Sequence, residues 1–308
     1  MKSRFVFEMA RWPYEKFRSI ILLGLVFLSS TACASLVPVS PLEKSETVLS
    51  SEKTVDGSLL LATVKLGRKI DPKDQVYAKF LDRKFQFYPI EGSDHEVYQG
   101  LIAIPYREKP GNKKIKIFVN DEHIQVPIQI ESGKYKSESL RVDPSKVSPP
   151  KSAIPRILKE VKEIKKIYHS SEPKKYWKGP FSYPIKSPVT SEFGTARNYN
   201  GHFKGYHRGL DLKAGVGTPI NAPARGKVVL AKSLYYTGGT VLLDHGYGLI
   251  TLYAHLSKIQ VKTGAMVDRG QLLGLAGATG RVTGPHLHWG AVLSSVKVNP
   301  MGLIRTLR

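Results

Sequence analysis

The stretch GPHLHWG, residues 284–290, sets His286 and His288 one residue apart. In an extended chain residues i and i+2 share a face, so two imidazoles stand side by side while Leu287 and Trp289 turn the other way, into a core. Each imidazole carries a donor and an acceptor, which makes such a pair poor dry filling for a core. A metal ion removes the difficulty by taking a lone pair. Six of the nine histidines fall between 202 and 288. HRGLDL places His207 four residues before Asp211, a spacing that on a strand puts both on one face with Leu210 and Leu212 behind. LYAHL ends an apolar run on His255, and DHGYG opens a glycine turn with His245, read as structural. A catalytic zinc takes three protein ligands and keeps a fourth position for water, whose pKa it lowers to about 7. His207, Asp211 and one member of the HLH pair make such a set. The remaining two histidines are then free to deprotonate the water and steady an oxyanion. His202 lies in a predicted loop near these residues and is a candidate for substrate or inhibitory contact. His95, His123 and His169 have no partners at ligand spacing.

The elements that must hold these groups are short strands. Residues 177–308 are rich in glycine, with the apolar runs KVVLA, TVLLDH, LITLYAHL, QLLGLAG and HLHWGAVL between TGG, GYG and ATG turns. No helical periodicity is visible there. Upstream, AIPRILKEVKEIKKIYH repeats Ile154, Ile157, Leu158, Val161, Ile164, Ile167 and Tyr168 at steps of three and four, the pattern of an amphipathic helix with a solvated charged face. PSKVSPPKS, with three prolines, breaks the pattern before it. Between 57 and 131, six alternating runs separated by turn signals such as KPGN and NDEH predict a β-sandwich of roughly 90 residues. In one of them Ile115, Ile117 and Val119 share a face. The expected chain is mainly β: signal segment 1–33, flexible tether 34–50, N-terminal β-sandwich 51–145, linker with helix 146–176, and C-terminal antiparallel β-sheet domain 177–308.

The N-terminus carries Lys2, Arg4, Arg11, Lys16 and Arg18 ahead of IILLGLVFL and the small residues SSTACAS, the order of an export signal. Its apolar run is short for a membrane span, which needs about 20 residues. Cys33, the only cysteine, follows STA and resembles the lipidation site of bacterial lipoproteins, with Ser30 where that motif prefers leucine. Plain cleavage after ACA is the alternative. The expected location is the cell envelope, periplasmic or held by a membrane lipid anchor. A formal net charge of +22 suggests an anionic neighbourhood. Zinc-finger, RNP-type and recognition-helix patterns are missing, which argues against nucleic acid. A glutamate-based zinc protease needs HExxH, and HEVYQ at 95–99 lacks the second histidine. No GxSxG elbow occurs, and the C-terminal part offers only Glu192, Asp211, Asp244 and Asp268 as a glycosidase pair.

HRGLD, LYAHL and GPHLHWG resemble the HxxxD, second-histidine and HxH motifs of the lysostaphin/LytM-type zinc metallopeptidases. SEFGTAR, APARGKVV and VDRGQLLGLAGATG are similar to that family's framework, so the resemblance covers about 181–300. It implies a LytM-like catalytic domain with His207, Asp211 and His288 as zinc ligands and His255 and His286 as the catalytic pair. It also implies bacterial peptidoglycan as substrate, cut at peptide cross-links or stems. The balance of 16 basic against 4 acidic residues in 177–308, net +12, suits a polymer rich in carboxylates. The family includes degenerate members that activate amidases without metal, so the alternative is a non-hydrolytic peptidoglycan-binding regulator of another cell-wall hydrolase. A monomer is expected.

Overall fold

The computed structural model describes residues 40–307; the stretch expected to be a signal segment, and Cys33 with it, lie outside the described residues. Among the described residues no helix is long and apolar enough to cross a membrane. The N-terminal half contains β1 (Glu46–Leu49), β2 (Lys53–Val55), β3 (Leu59–Lys65), β4 (Val76–Phe80), β5 (Arg83–Pro89), β6 (Val97–Ala103), β7 (Gly111–Val119) and β8 (Glu122–Glu131). Their order is β1-β3-β6-β5-β4-β7-β8-β2. Strand β5 serves both halves of this sheet, pairing with β4 through Arg83–Gln86 and with β6 through Phe87–Pro89. The six runs read from the sequence are β3 to β8. The two additional strands are short edge strands, and β1 falls inside the stretch expected to be a tether. At three and four residues they are too brief for alternation to be read. Ile115, Ile117 and Val119 of β7 are buried, as their spacing predicts.

The chain then leaves this sheet as β9 (Ser137–Leu140), α1 (Pro144–Val147), a 3-10 turn (Lys151–Ala153) and α2 (Ile154–Tyr168). The helix docks by Ile164, Ile167 and Tyr168 against Leu230, Leu234, Leu242 and Ile250. Its apolar stripe is wider than its contact: Ile157 is buried, whereas Ile154, Leu158 and Val161 remain exposed. The remaining strands are β10 (Val189–Ser191), β11 (Ala196–Tyr199), β12 (His202–Tyr206), β13 (Leu210–Lys213), β14 (Pro219–Asn221), β15 (Gly226–Leu234), β16 (Gly238–Gly246), β17 (Leu249–Ile259), β18 (Met266–Val267), β19 (Leu272–Ala276), β20 (His286–Leu293) and β21 (Val296–Val298). The C-terminal sheet runs β10-β13-β20-β17-β16-β15-β18, with β14, β19 and β21 attached, and its pairings are antiparallel. A six-residue helix, α3 (Met301–Thr306), closes the chain where only strands were expected. Such a short helix holds too few turns for a periodic signal. Strand β16 is buried along its whole length, its polar Thr240, Asp244 and His245 included.

One hydrophobic cluster extends from Leu42 to Leu307 and spans both halves. Asn299 N donates to Gly57 O at 2.8 Å, and Tyr106 packs against Tyr135, Phe193 and Tyr206. Strand β9 pairs in parallel with β11, setting Glu138 opposite Arg197. The N-terminal half therefore reaches the part of the C-terminal sheet where the histidines lie.

Candidate metal centre

Three adjacent central strands bring the chemistry together. Asp211 on β13 stands opposite His288 on β20, and Ala254 on β17 stands opposite His288 from the other side. Leu287 and Trp289 are fully buried, so the alternation of β20 turns both of its histidines to the other face. His207 lies in the β12–β13 connection, not on a strand with Asp211 as the four-residue spacing suggested. The turn from β12 into β13 delivers it nonetheless: His207 Nε2 lies 3.0 Å from Asp211 Oδ1 and 3.0 Å from His288 Nδ1. His288 Nδ1 is 2.7 Å from Asp211 Oδ1. Gly209 makes room for this approach. A Cβ there would sit 2.6 Å from His288 Cε1 and 2.6 Å from the Trp289 carbonyl oxygen. Gly209→Ala is expected to displace His288 and to weaken the affinity of the trio for any metal ion it holds about 10–100-fold, read by chelator competition.

His255 reaches the site by a departure from strand geometry. Tyr253 pairs with Trp289 on the core face, so strict alternation would send His255 to that face as well. Instead His255 adopts φ 64, and the register of β17 shifts against β16 between Tyr253 and Leu256 and against β19 just after it, between Leu256 and Lys258. Its ring then sits 4.8 Å from that of His286 and 5.9 Å from that of His288, centroid to centroid.

Backbone carbonyls fix the rings. His207 Nδ1 donates to Glu192 O at 2.9 Å, His255 Nδ1 to Thr279 O at 2.8 Å and His286 Nδ1 to Gly284 O at 2.8 Å. A carbonyl only accepts, so in each neutral ring the hydrogen is on Nδ1 and Nε2 carries the lone pair. Burial lowers the pKa of His288 to about 4, against the opposing pull of Asp211. Burial, aided by the neighbouring His288 and His286, lowers that of His255 to about 3. Asp211 is held well below the ordinary carboxylate range: burial pushes it up, but its contacts with His207 and His288 outweigh that.

Two nitrogens and one carboxylate oxygen thus converge within 2.7–3.0 Å of one another. With both rings neutral, the trio shares at most one hydrogen, on His288 Nδ1. A cation meets three converging lone pairs better than that hydrogen can. Ligands about 2.1 Å from a tetrahedral zinc ion stand about 3.4 Å apart, so this donor set needs only slight expansion. The residues fit zinc in type, number and spacing.

Sequence reasoning missed the support around Asp211. Arg197 Nη2 donates to Asp211 Oδ2 at 2.5 Å, and Arg197 Nε donates to Glu138 Oε1 at 2.6 Å. Arg197 ends the SEFGTAR motif, so its position was visible without a role. Glu138 carries no local signal. A cleft of about 270 Å³ opens beside the trio, lined by Glu138, Tyr199, Asp211, His255, Arg281 and His286 among others. His202 is exposed on β12 and does not line it. His95 contacts Tyr98, His123 stacks on Phe118 and His169 bonds to Lys165 O, all away from the cleft.

His245 is fully buried, with Nδ1 donating to Arg225 O at 2.9 Å and Nε2 bonded to Thr251 Oγ1 at 2.8 Å. Burial lowers its pKa to about 4. Its folded pKa lies below the unfolded value of about 6.5. The unfolded chain therefore takes up the proton first as pH falls. Stability from this group is complete above about pH 7 and is lost between about 6.5 and 4, an effect of about 3 kcal/mol. Urea unfolding midpoints are expected to fall across that window, and to fall less in His245→Gln.

The sequence model of peptidase family M23 matches residues 205–300. Peptidoglycan DD-endopeptidase ShyA of Vibrio cholerae is 46% identical over 95 residues, 31% of this chain and 22% of ShyA. ShyC of the same organism, also a peptidoglycan DD-endopeptidase, is 42% identical over 114 residues, 36% of this chain and 26% of ShyC. The matched segments thus span only about a quarter of these relatives' length. A solved structure from Pseudomonas aeruginosa assigned to peptidase M23 is 31% identical, covering 81% of this chain and 94% of that one, with a TM-score of 0.61. That likeness runs through both halves of the molecule, and with it the chain belongs to peptidase family M23.

Proposed function

We propose that this chain is a zinc-dependent endopeptidase of the bacterial cell envelope that hydrolyses peptide cross-links or stems of peptidoglycan. The observation that carries the reading is the convergence of His207, Asp211 and His288 beside a cleft that Asp211, His255 and His286 line. The activity named for ShyA and ShyC supports the substrate. His207, Asp211 and His288 would hold the zinc. Bound there, the ion supplies a Lewis acid for the scissile carbonyl and acidifies water at neutral pH.

The remaining work falls to the chain's own groups. When neutral, the His255 and His286 rings each present Nε2 as an acceptor, because each gives its Nδ1 hydrogen to a carbonyl. Either can receive a proton from an attacking water. Neither donates to a developing oxyanion until it has taken that proton, so proton uptake comes before oxyanion support. Arg197 fixes the second oxygen of Asp211, leaving Oδ1 for the metal. Export and a lipid anchor at Cys33 belong to the same proposal, as does a monomeric state.

The test is mass spectrometry of fragments released from cross-linked sacculi by the purified chain, with and without zinc. Zinc-dependent release of stem peptides with a new amine and a new carboxyl end is the expected result. Stoichiometric zinc without release would overturn the reading and favour a non-hydrolytic regulator.

A further inference from the structure

Three cations line the cleft, and their charges are not treated alike. Arg197 is neutralised by Glu138 and Asp211. Arg281 and Lys213 also line it, and among the described residues neither has a carboxylate within ion-pair distance. Arg281 is nonetheless well held. Its guanidinium carbon lies 4.8 Å from the Tyr199 ring centroid and 4.7 Å from that of Tyr236, and its backbone N donates to Tyr236 O at 2.8 Å. The loop that carries it is anchored by close backbone packing. Gly280 has φ 82, and a Cβ there would meet Gly238 N at 2.5 Å. The same loop offers Thr279 O to His255 and Gly284 O to His286. Lys213 is the cross-strand partner of His286 on β13. Both cations are therefore fixed to the elements that fix the two histidines.

We propose that Arg281 and Lys213 form a carboxylate-binding subsite, which selects peptides carrying a free carboxylate beside the scissile amide. The inference rests on the endopeptidase reading and adds a substrate class to it. An aromatic-stacked guanidinium is pre-organised, and its N–H fork matches a carboxylate in two parallel hydrogen bonds. A cation left without a partner in a partly enclosed cleft gains more from an entering anion than one in open water. Lys213, more exposed, adds a point charge to the same group.

The experiment uses the full chain and two synthetic cross-linked peptide dimers, identical except that the carboxylate beside the scissile amide is free in one and amidated in the other. Wild type is expected to cleave the free form with kcat/KM about 10–100-fold higher, carried mainly by KM, the range for hydrogen bonds to a charged group. The preference should collapse below about threefold in Arg281→Gln and be partly restored in Arg281→Lys, since lysine returns the charge without the fork. Equal cleavage of both dimers by wild type overturns the proposal. So does an Arg281→Gln variant that slows both dimers equally, which would assign the arginine to packing alone. Calorimetry of the zinc-free chain with the same dimers separates the two readings. Preferential binding of the free form without any cleavage sustains the subsite and sinks the endopeptidase. Cleavage without binding preference sinks the subsite alone.

Discussion

Asp211→Ala is expected to abolish zinc binding and to lower turnover of cross-linked peptidoglycan roughly a thousandfold or more, about 4 kcal/mol of lost transition-state stabilisation. The reason is electrostatic as much as geometric. Asp211 Oδ1 contacts both His207 and His288, while Oδ2 holds Arg197. Removing the carboxylate takes away one of three donors and strips the half-buried Arg197 guanidinium of one of its two carboxylate partners beside the place a cation would occupy. Arg197 would keep only Glu138 as partner. Asp211→Asn retains an oxygen without its charge and should fall between alanine and wild type in affinity. Zinc content after gel filtration, chelator competition and turnover are the measurements, with circular dichroism to show that the sheet survives. An alanine variant that still carries one zinc per chain would remove Asp211 from the ligand set.

Replacing His255 should have the opposite split: zinc retained, turnover down by about 10²–10⁴, the usual worth of a positioned proton carrier. His255 makes none of the contacts within the trio, and its Nδ1 is committed to Thr279 O. Its φ of 64 decides which substitution tests this well. Alanine pays for a left-handed backbone, whereas asparagine tolerates it. His255→Asn is therefore the informative variant and His255→Ala the companion. Both should bind zinc stoichiometrically and lose kcat. Zinc loss in His255→Asn with an intact fold would place this residue among the ligands and refute the division of roles.

These two residues also mark how far local sequence carries. The pairing of His286 with His288, and the turning of Leu287 and Trp289 into the core, follow from the two-residue period of a strand. The same period identifies β3 to β8 and the buried face of β7. For His255 that rule points the wrong way, because the strand kinks at the residue itself. His207 is presented by a turn rather than by the strand its spacing implied. Glu138 joins the site only because β9 crosses from the N-terminal half to pair with β11, fifty-nine residues along the chain from Arg197. Residue type and short-range spacing thus pointed to a metal-holding donor set and to the mainly β architecture, since both depend on groups a few residues apart. Which donors meet, what neutralises Arg197 and what leaves Arg281 without a carboxylate among the described residues depend on strand register, bulges and packing between distant segments, and those are settled by the energy of the whole core.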